Sequence, residues 1–199
     1  MVGPTIETER LILRPPIEAD LEAWAKFGAD EEAARYIGGV LSRAAAWRVM
    51  AMINGAWTLR GFSMFSVVEK STGQWVGRLG PWMPEGWPGT EVGWGIAREH
   101  WGKGYATEGA SAAIDWAFDT LGWTEVIHCI EAANTNSQAV ARRGFNQPAP
   151  SHAAAAHERD GRLLGPKPRA VARASLASTA CGGRSQLKTR SVSGLGGGR

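Results

Sequence analysis

Long apolar runs are missing from this 199-residue chain: its uninterrupted apolar stretches span only a few residues, against the roughly 20 a helix needs to cross a bilayer. No membrane-spanning helix is expected. The N-terminus lacks a basic start followed by an apolar run and a small-residue cleavage site, so no export leader is expected either. Cysteine is scarce. Cys129 and Cys181 stand far apart with no Cys-x-x-Cys pair, which excludes a disulfide framework and a zinc knuckle. No cluster of His, Cys, Asp and Glu has metal-ligand spacing, so no metal is expected. These absences lead to the expectation of a soluble protein in a reducing, cytoplasmic setting, with no membrane partner.

The C-terminal quarter lacks more. None of the 17 aromatic residues lies beyond Phe145, and residues 146–199 contain no Ile and two Val. Ala, Gly, Ser, Pro and Arg dominate there, and such a composition cannot bury enough apolar surface to offset the entropy of ordering it. Charge divides at the same place. Residues 1–145 carry a net −4 and residues 146–199 a net +7, which together make the +3 of the whole. The expected organisation is one folded domain over residues 1–145 and a basic, low-complexity, disordered tail over residues 146–199. Because the basicity belongs to the tail, nucleic acid is not an expected partner of the domain.

Within the domain, Arg10–Arg14 before Pro15 and Pro16 reads as a short strand. Asp20 opens a helical pattern through Leu21, Trp24 and Phe27, and Asp30 opens another through Tyr36, ended by Gly38 and Gly39. Ser42 is a candidate N-cap for a helix to about Leu59, with apolar positions at Trp47, Met50, Ala51, Ile53 and Trp57. Phe62–Val68 and Gln74–Leu79, joined by Ser71-Thr72-Gly73, predict a hairpin. A loop with Pro81, Pro84 and Pro88 follows, then a strand from Glu91 to Ile96. There Val92, Trp94 and Ile96 alternate with Glu91, Gly93 and Gly95, leaving the second face almost bare. The next helix, from about Gly104 to Leu121, carries an apolar stripe at Ala110, Ala113, Ile114, Ala117, Phe118 and Leu121. Glu125–Glu131 reads as a strand, with His128 and Cys129 in packed positions, and Ser137–Arg143 starts a last helix. This order implies an α+β (mixed α/β) fold, a central mixed sheet flanked by helices. Its unit around residues 91–131 is expected to be parallel and right-handed.

Chemistry concentrates in Trp101-Gly102-Lys103-Gly104-Tyr105-Ala106-Thr107-Glu108, between a strand and a helix. Glycines permit positive φ, so successive amides can turn inward as a nest, and the helix that follows adds its positive end. A diphosphate suits that arrangement, although a short glycine loop taken alone can be merely a turn. A Walker loop fails because Gly104, not Ser or Thr, follows Lys103. A dinucleotide fingerprint would need a third glycine where Thr107 stands.

The run from Glu91 to Glu108 resembles the cofactor motif of the GCN5-related N-acetyltransferases (GNAT), which reads Gln/Arg-x-x-Gly-x-Gly/Ala. Trp101 takes the Gln/Arg position, Gly104 the glycine and Ala106 the small residue. Trp before Gly-Lys-Gly-Tyr-Ala-Thr-Glu is similar to the RimJ/RimL-type branch, as are Asn134 with Ser137, the closing Gly144-Phe145, and the opening Thr8–Arg14. The resemblance implies acetyl-CoA as co-substrate and a primary amine as acceptor. Its implied cofactor contacts are the amides of Gly102, Lys103, Gly104, Tyr105 and Ala106 for the pyrophosphate, with Trp101 and a hydroxyl from Thr107. Ile96 would pair by main chain with pantetheine, which would enter beside Gly93 and Gly95, and Asn134 and Ser137 would reach the cofactor. Asn134 could equally cap the last helix.

An α-amine, with a reference pKa near 7.7–8.0, reacts with little help, whereas Lys, near 10.4, needs a base. Glu91 is the candidate base, acting through a water, and Tyr105 the candidate proton donor to the departing thiolate. The loop Pro81–Pro88, with Trp82 and Trp87, could line the acceptor pocket. After Phe145 the resemblance stops. Two further strands are expected there, and their absence from the sequence suggests a reading-frame shift between Arg143 and Asn146. The expected results are an unpaired sheet edge and impaired activity. The alternative function is a catalytically impaired CoA-binding or basic-tail protein that binds RNA or acidic partners.

Overall fold

The computed structural model describes residues 3–145 and 175–176; the expected tail otherwise lies outside them. A mixed sheet runs in order β1 (Ile6–Glu7), β2 (Leu11–Arg14), β3 (Phe65–Glu69), β4 (Trp75–Trp82), β5 (Glu91–Ile96), β6 (Ile127–His128) and β7 (Ser175–Leu176). Pairing is antiparallel from β1 to β5, then parallel between β5 and β6 and between β6 and β7. The helices are α1 (Leu21–Ala29), α2 (Glu31–Ala34), α3 (Arg43–Arg60), α4 (Tyr105–Leu121) and α5 (Thr135–Phe145). The mixed α/β architecture and the parallel strand–helix–strand unit expected around residues 91–131 are present.

Period-two alternation divides the sheet into two faces. Leu11, Leu13, Phe65, Val67, Leu79, Val92 and Ile96 form one face, which packs on Tyr105, Ala110, Ala113 and Ile114 of α4. That contact uses the predicted stripe. On the opposite face Met64 packs with Trp24 of α1 and with Ala46, Met50 and Ile53 of α3. Trp57, near the end of α3, reaches round to Phe65 and Trp116, with ring centroids 4.9 and 5.9 Å away.

Capping matches the sequence signals. Asp30 accepts from the amides of Glu32 and Ala33 at α2, Ser42 accepts from Ala45 at α3, and Gly61 and Gly122 end α3 and α4 at φ 75° and 69°. Two signals depart: α2 ends at Ala34, before Tyr36 and the glycines at 38 and 39, and Asp20 serves the tertiary structure instead. Its buried carboxylate takes two bonds from Arg14 (2.7 and 2.8 Å), one from the Ile17 amide and one from the Ser66 hydroxyl. Ser66 in turn accepts from the Trp75 indole. Burial alone would raise the Asp20 pKa, but these bonds hold it below the ordinary carboxylate value.

Four expectations need correction. Pro81 and Trp82 belong to β4, not to a loop, because the β4–β5 ladder extends to Trp82↔Glu91. The last expected strand shrinks from Glu125–Glu131 to Ile127–His128, since the backbone pairs with β5 only at Glu91↔Ile127. Trp47 and Ala51 lie on the exposed side of α3, while Ala46 is buried in their place, so the helix is rotated relative to the sequence reading. The outer edge of β6 is not unpaired: Ile127 and His128 pair with Ser175 and Leu176.

Gly77 in β4 is hemmed in by backbone. A Cβ there would lie 2.5 Å from the Gly95 carbonyl oxygen and 2.8 Å from Ile96 Cδ1. Gly55 in α3 has open space around its would-be Cβ. Denaturant titrations should therefore show Gly77→Ala lowering stability by about 1–3 kcal/mol through overpacking, and Gly55→Ala raising it by about 0.5–1 kcal/mol through helix propensity.

Candidate active site

Beyond Glu91↔Ile127 the backbone ladder between β5 and β6 stops, and side chains span the gap. The His128 Nδ1–H donates to the Val92 carbonyl at 2.7 Å, which fixes the proton on that nitrogen. The Cys129 amide donates to Glu91 Oε1 at 3.0 Å. Farther along, the Trp94 ring lies tilted against His128, with centroids 4.8 Å apart, and its indole N–H donates to the Ser137 hydroxyl at 3.3 Å. Two parallel strands thus part after one residue pair, with polar atoms lining both sides.

Glu91 stands at the fork. The sequence alone leaves room for a solvated strand-edge carboxylate, but its exposure is 6%. Oε2 accepts the Trp87 indole at 2.6 Å, and Oε1 takes the Cys129 amide. Burial raises its pKa above the ordinary value, with these bonds opposing the shift. A carboxyl kept partly protonated at its ordinary pKa is a stronger base once ionised. The Pro84–Pro88 loop therefore folds back through Trp87 over the acid, and the Trp82 and Trp87 rings meet edge-on at 6.5 Å.

The glycine loop lies at the other end of β5. Gly102 and Gly104 have φ of 75° and 83°, and Gly104 is the N-cap of the 17-residue α4 with no side chain bonding its first amides. A Cβ on Gly102 would meet nothing within 4 Å. The loop from Trp101 to Gly104 is exposed, with Ala106 and Thr107 half-buried behind it. Uncapped amides, the helix dipole and the Lys103 ammonium together suit a diphosphate. Arg10 pins this loop. Its guanidinium donates to the Lys103 carbonyl at 2.9 Å and pairs with Glu108 at 2.6 Å. Glu108 also accepts from the Thr8 hydroxyl and the Arg10 amide. Thr8 and Arg10 stand about a hundred residues from Glu108, a separation across which no local sequence pattern reveals the clasp.

Other expected residues are placed differently. The Trp101 indole donates to the carbonyl of Ile96, the residue expected to pair by main chain with pantetheine, at 2.6 Å, and Trp101 itself stays 41% exposed. The Tyr105 ring is buried beneath Arg10 and Lys103, and its hydroxyl donates to Glu69. That bond raises the tyrosine pKa, while bonds from Thr72 and Tyr105 lower that of Glu69. Its proton is therefore committed at the loop's far side rather than aimed at the fork. The Asn134 side chain accepts from the Ser137 amide at 3.1 Å, an N-cap for α5. The face expected to be bare at Gly93 and Gly95 is filled: Cβ atoms there would meet Met64 Cε at 3.0 Å and Phe27 Cζ at 2.8 Å. Cys129 is only half-buried.

The model for the "Acetyltransferase (GNAT) domain" family matches residues 10–145. The chain belongs to the GNAT acetyltransferase family. Among its GNAT relatives is the "Uncharacterized N-acetyltransferase p20" of Bacillus licheniformis, 31% identical over 136 residues that cover 67% of this chain and 76% of that protein. Solved structures agree. An acetyltransferase from Agrobacterium tumefaciens superposes with a TM-score of 0.66 at 34% identity, covering 71% of this chain and 82% of that one. A ribosomal-protein-S5-alanine acetyltransferase from Vibrio fischeri shares the fold at 16% identity, with a TM-score of 0.59 over 71% of this chain and 82% of that one. No described helix is long and apolar enough to cross a membrane, and no metal cluster occurs among the described residues.

Burial lowers the His128 pKa to about 4 from 6.5, so the folded state resists a proton that the unfolded chain accepts. Stability should therefore be full above pH 6.5 and fall by about 3 kcal/mol as pH drops to 4. In urea titrations across that range His128→Gln should flatten this segment of the profile; an unchanged slope would contradict the assignment.

Proposed function

We propose that this chain transfers the acetyl group of acetyl-CoA to a primary amine, either a protein N-terminus or a small amine. One juxtaposition carries the reading: a single strand, β5, ends in an uncapped, lysine-bearing glycine loop and begins in a buried carboxylate of raised pKa. The first is suited to a diphosphate and the second to an ammonium proton. Acetyl-CoA, when bound, supplies a thioester-activated acyl group.

The chain contributes position and proton transfer. Amides of Gly102 through Ala106 and the Lys103 ammonium hold the pyrophosphate, with the Arg10–Glu108 clasp fixing the loop from behind. Thr107 adds its hydroxyl from the first turn of α4. The gap between β5 and β6 admits an extended arm that pairs with backbone in the manner of an added strand. Glu91, steadied by Trp87 and Cys129, takes the acceptor's proton through a water. An α-amine near pKa 8 matches such a base far better than a Lys side chain near 10.4. Tyr105, with its hydroxyl on Glu69, positions the loop instead of donating to the thiolate. A thiol of pKa near 8.5 leaves as thiolate and recovers a proton from water at neutral pH. Neither the family membership nor any described residue favours the alternative of a basic-tail binding protein.

Thermal shift with acetyl-CoA tests the loop. Gly104→Asp should abolish the shift by placing a carboxylate in the anion site, whereas Gly104→Ala, strained only by its φ of 83°, should keep part of it. Retention in Gly104→Asp, or no shift in the wild type at millimolar acetyl-CoA, overturns the reading. Glu91→Gln should lower kcat by roughly 100-fold or more with acetyl-CoA binding intact. Because protonated Glu91 cannot accept a proton, kcat/KM should fall as pH drops through its pKa, on a limb above the ordinary 4.5, and Glu91→Gln should remove that limb.

A further inference from the structure

Among the described lysines and arginines only Arg14 and Arg78 are not exposed, and of the two Arg78 has no carboxylate partner. Arg78 sits in the middle of β4, flanked by Ser66 of β3 and Gly95 of β5, on the face turned toward α1 and α3. Along the same row Arg14 is neutralised by Asp20, whose oxygens are already taken by Arg14, Ile17 and Ser66. Glu91 is on this face too, and its oxygens serve Trp87 and Cys129. What Arg78 has instead is weak. One Nη1–H donates to the Met64 sulfur at 2.7 Å, and the guanidinium lies 6.0 Å from the centre of the Trp24 ring. A thioether is a poor acceptor, and the other guanidinium donors have no protein acceptor among the described residues. Burial depresses the pKa to about 10 without removing the charge at neutral pH. Such a placement costs stability, since a desolvated charge without a partner is unfavourable, and stability given up at a site without structural return marks a binding group.

Met64 connects this cation to the candidate base. Its sulfur takes Arg78, while its methyl group abuts Gly93, next to which stand Glu91 Oε1 and Cδ, 3.8 and 3.9 Å from the position of a Cβ. Arg78 and Glu91 thus lie on one sheet face with a single flexible side chain between them. Arg78 is half-buried, so the packing of α1 and α3 leaves its side chain only partly covered. A guanidinium presents paired donors that match a carboxylate.

We propose that Arg78 receives a carboxylate on the acceptor, a few bonds from the amine that Glu91 serves, so that the substrates are amino acids or related amines bearing a carboxylate. The inference rests on the acetyltransferase reading above and narrows its acceptor. Met64, unbranched and polarizable, swings aside to admit the ligand.

Free-thiol release on the full chain tests it with matched acceptors: alanine, β-alanine and 4-aminobutyrate, each beside its amide. The wild type should favour the carboxylates. Arg78→Met should raise their KM at least tenfold relative to the amides, leave acetyl-CoA binding unchanged, and raise rather than lower the melting temperature. Arg78→Lys should fall between, and it carries the same comparison should Arg78→Met not fold. Equal effects on acid and amide, or a wild type that acetylates only uncharged amines, overturn the carboxylate site alone. A wild type that releases no thiol with any amine overturns the acetyltransferase reading and this site with it.

Discussion

The molecule depends on a hydrogen-bond ladder that is interrupted after one residue pair. β5 and β6 meet at Glu91↔Ile127 and then part, and the atoms that would have closed the ladder are satisfied by side chains instead: His128 on the Val92 carbonyl, and Glu91 on the Cys129 amide. Buried backbone groups must find partners. A strand pair that opens inside a sheet is stable only if such substitutes are supplied. The substitution has a chemical consequence, because it draws a carboxylate and an imidazole into the interior, raising the pKa of one and lowering that of the other.

The same strand ties the two ends of the site together. Its C-terminal end feeds the glycine loop, whose left-handed residues turn the α4 amides outward, and its N-terminal end holds Glu91. The loop is anchored from across the chain, through Arg10 just before β2 and Glu108 of α4, so the glycine loop is tied to the start of β2. Against this, the sheet face turned toward α1 and α3 is built from less committed parts: Met64, the Trp24 ring and an Arg78 without a carboxylate partner. The glycine loop and the head of β5 are thus held by satisfied polar groups, and that sheet face includes one that is not.

Elements governed by local rules were legible in the sequence. The α4 stripe, the glycine terminators at Gly61 and Gly122, the caps at Asp30 and Ser42 and the hairpin around Gly73 each follow from a few adjacent residues. The glycine loop was legible for the same reason, and so was the family, since its motifs lie in order along the chain. Failures came where distant residues compete for the same atoms. Asp20 carries the signature of an N-cap but spends its oxygens on Arg14 and Ser66. Tyr105 occupies a loop position open to a proton-donating role, but Glu69, thirty-six residues away, takes its hydroxyl proton. Gly93 and Gly95 look like a bare face until Met64 and Phe27 fill it.

By itself the sequence determined the α+β order of elements, the acidic character of residues 1–145, the glycine loop before α4 and the presence of Glu91 at the head of β5. Those follow from residue type and spacing alone. Only the tertiary structure decided that Glu91 is buried and basic, that Trp101 bonds Ile96 instead of standing free, that Arg10 and Glu108 clasp the loop, and that Arg78 lacks an anion. Each of these is a question of which groups share a buried space, and burial sets both pKa and the cost of an unmet hydrogen bond. No linear pattern encodes that sharing until the strands are in register.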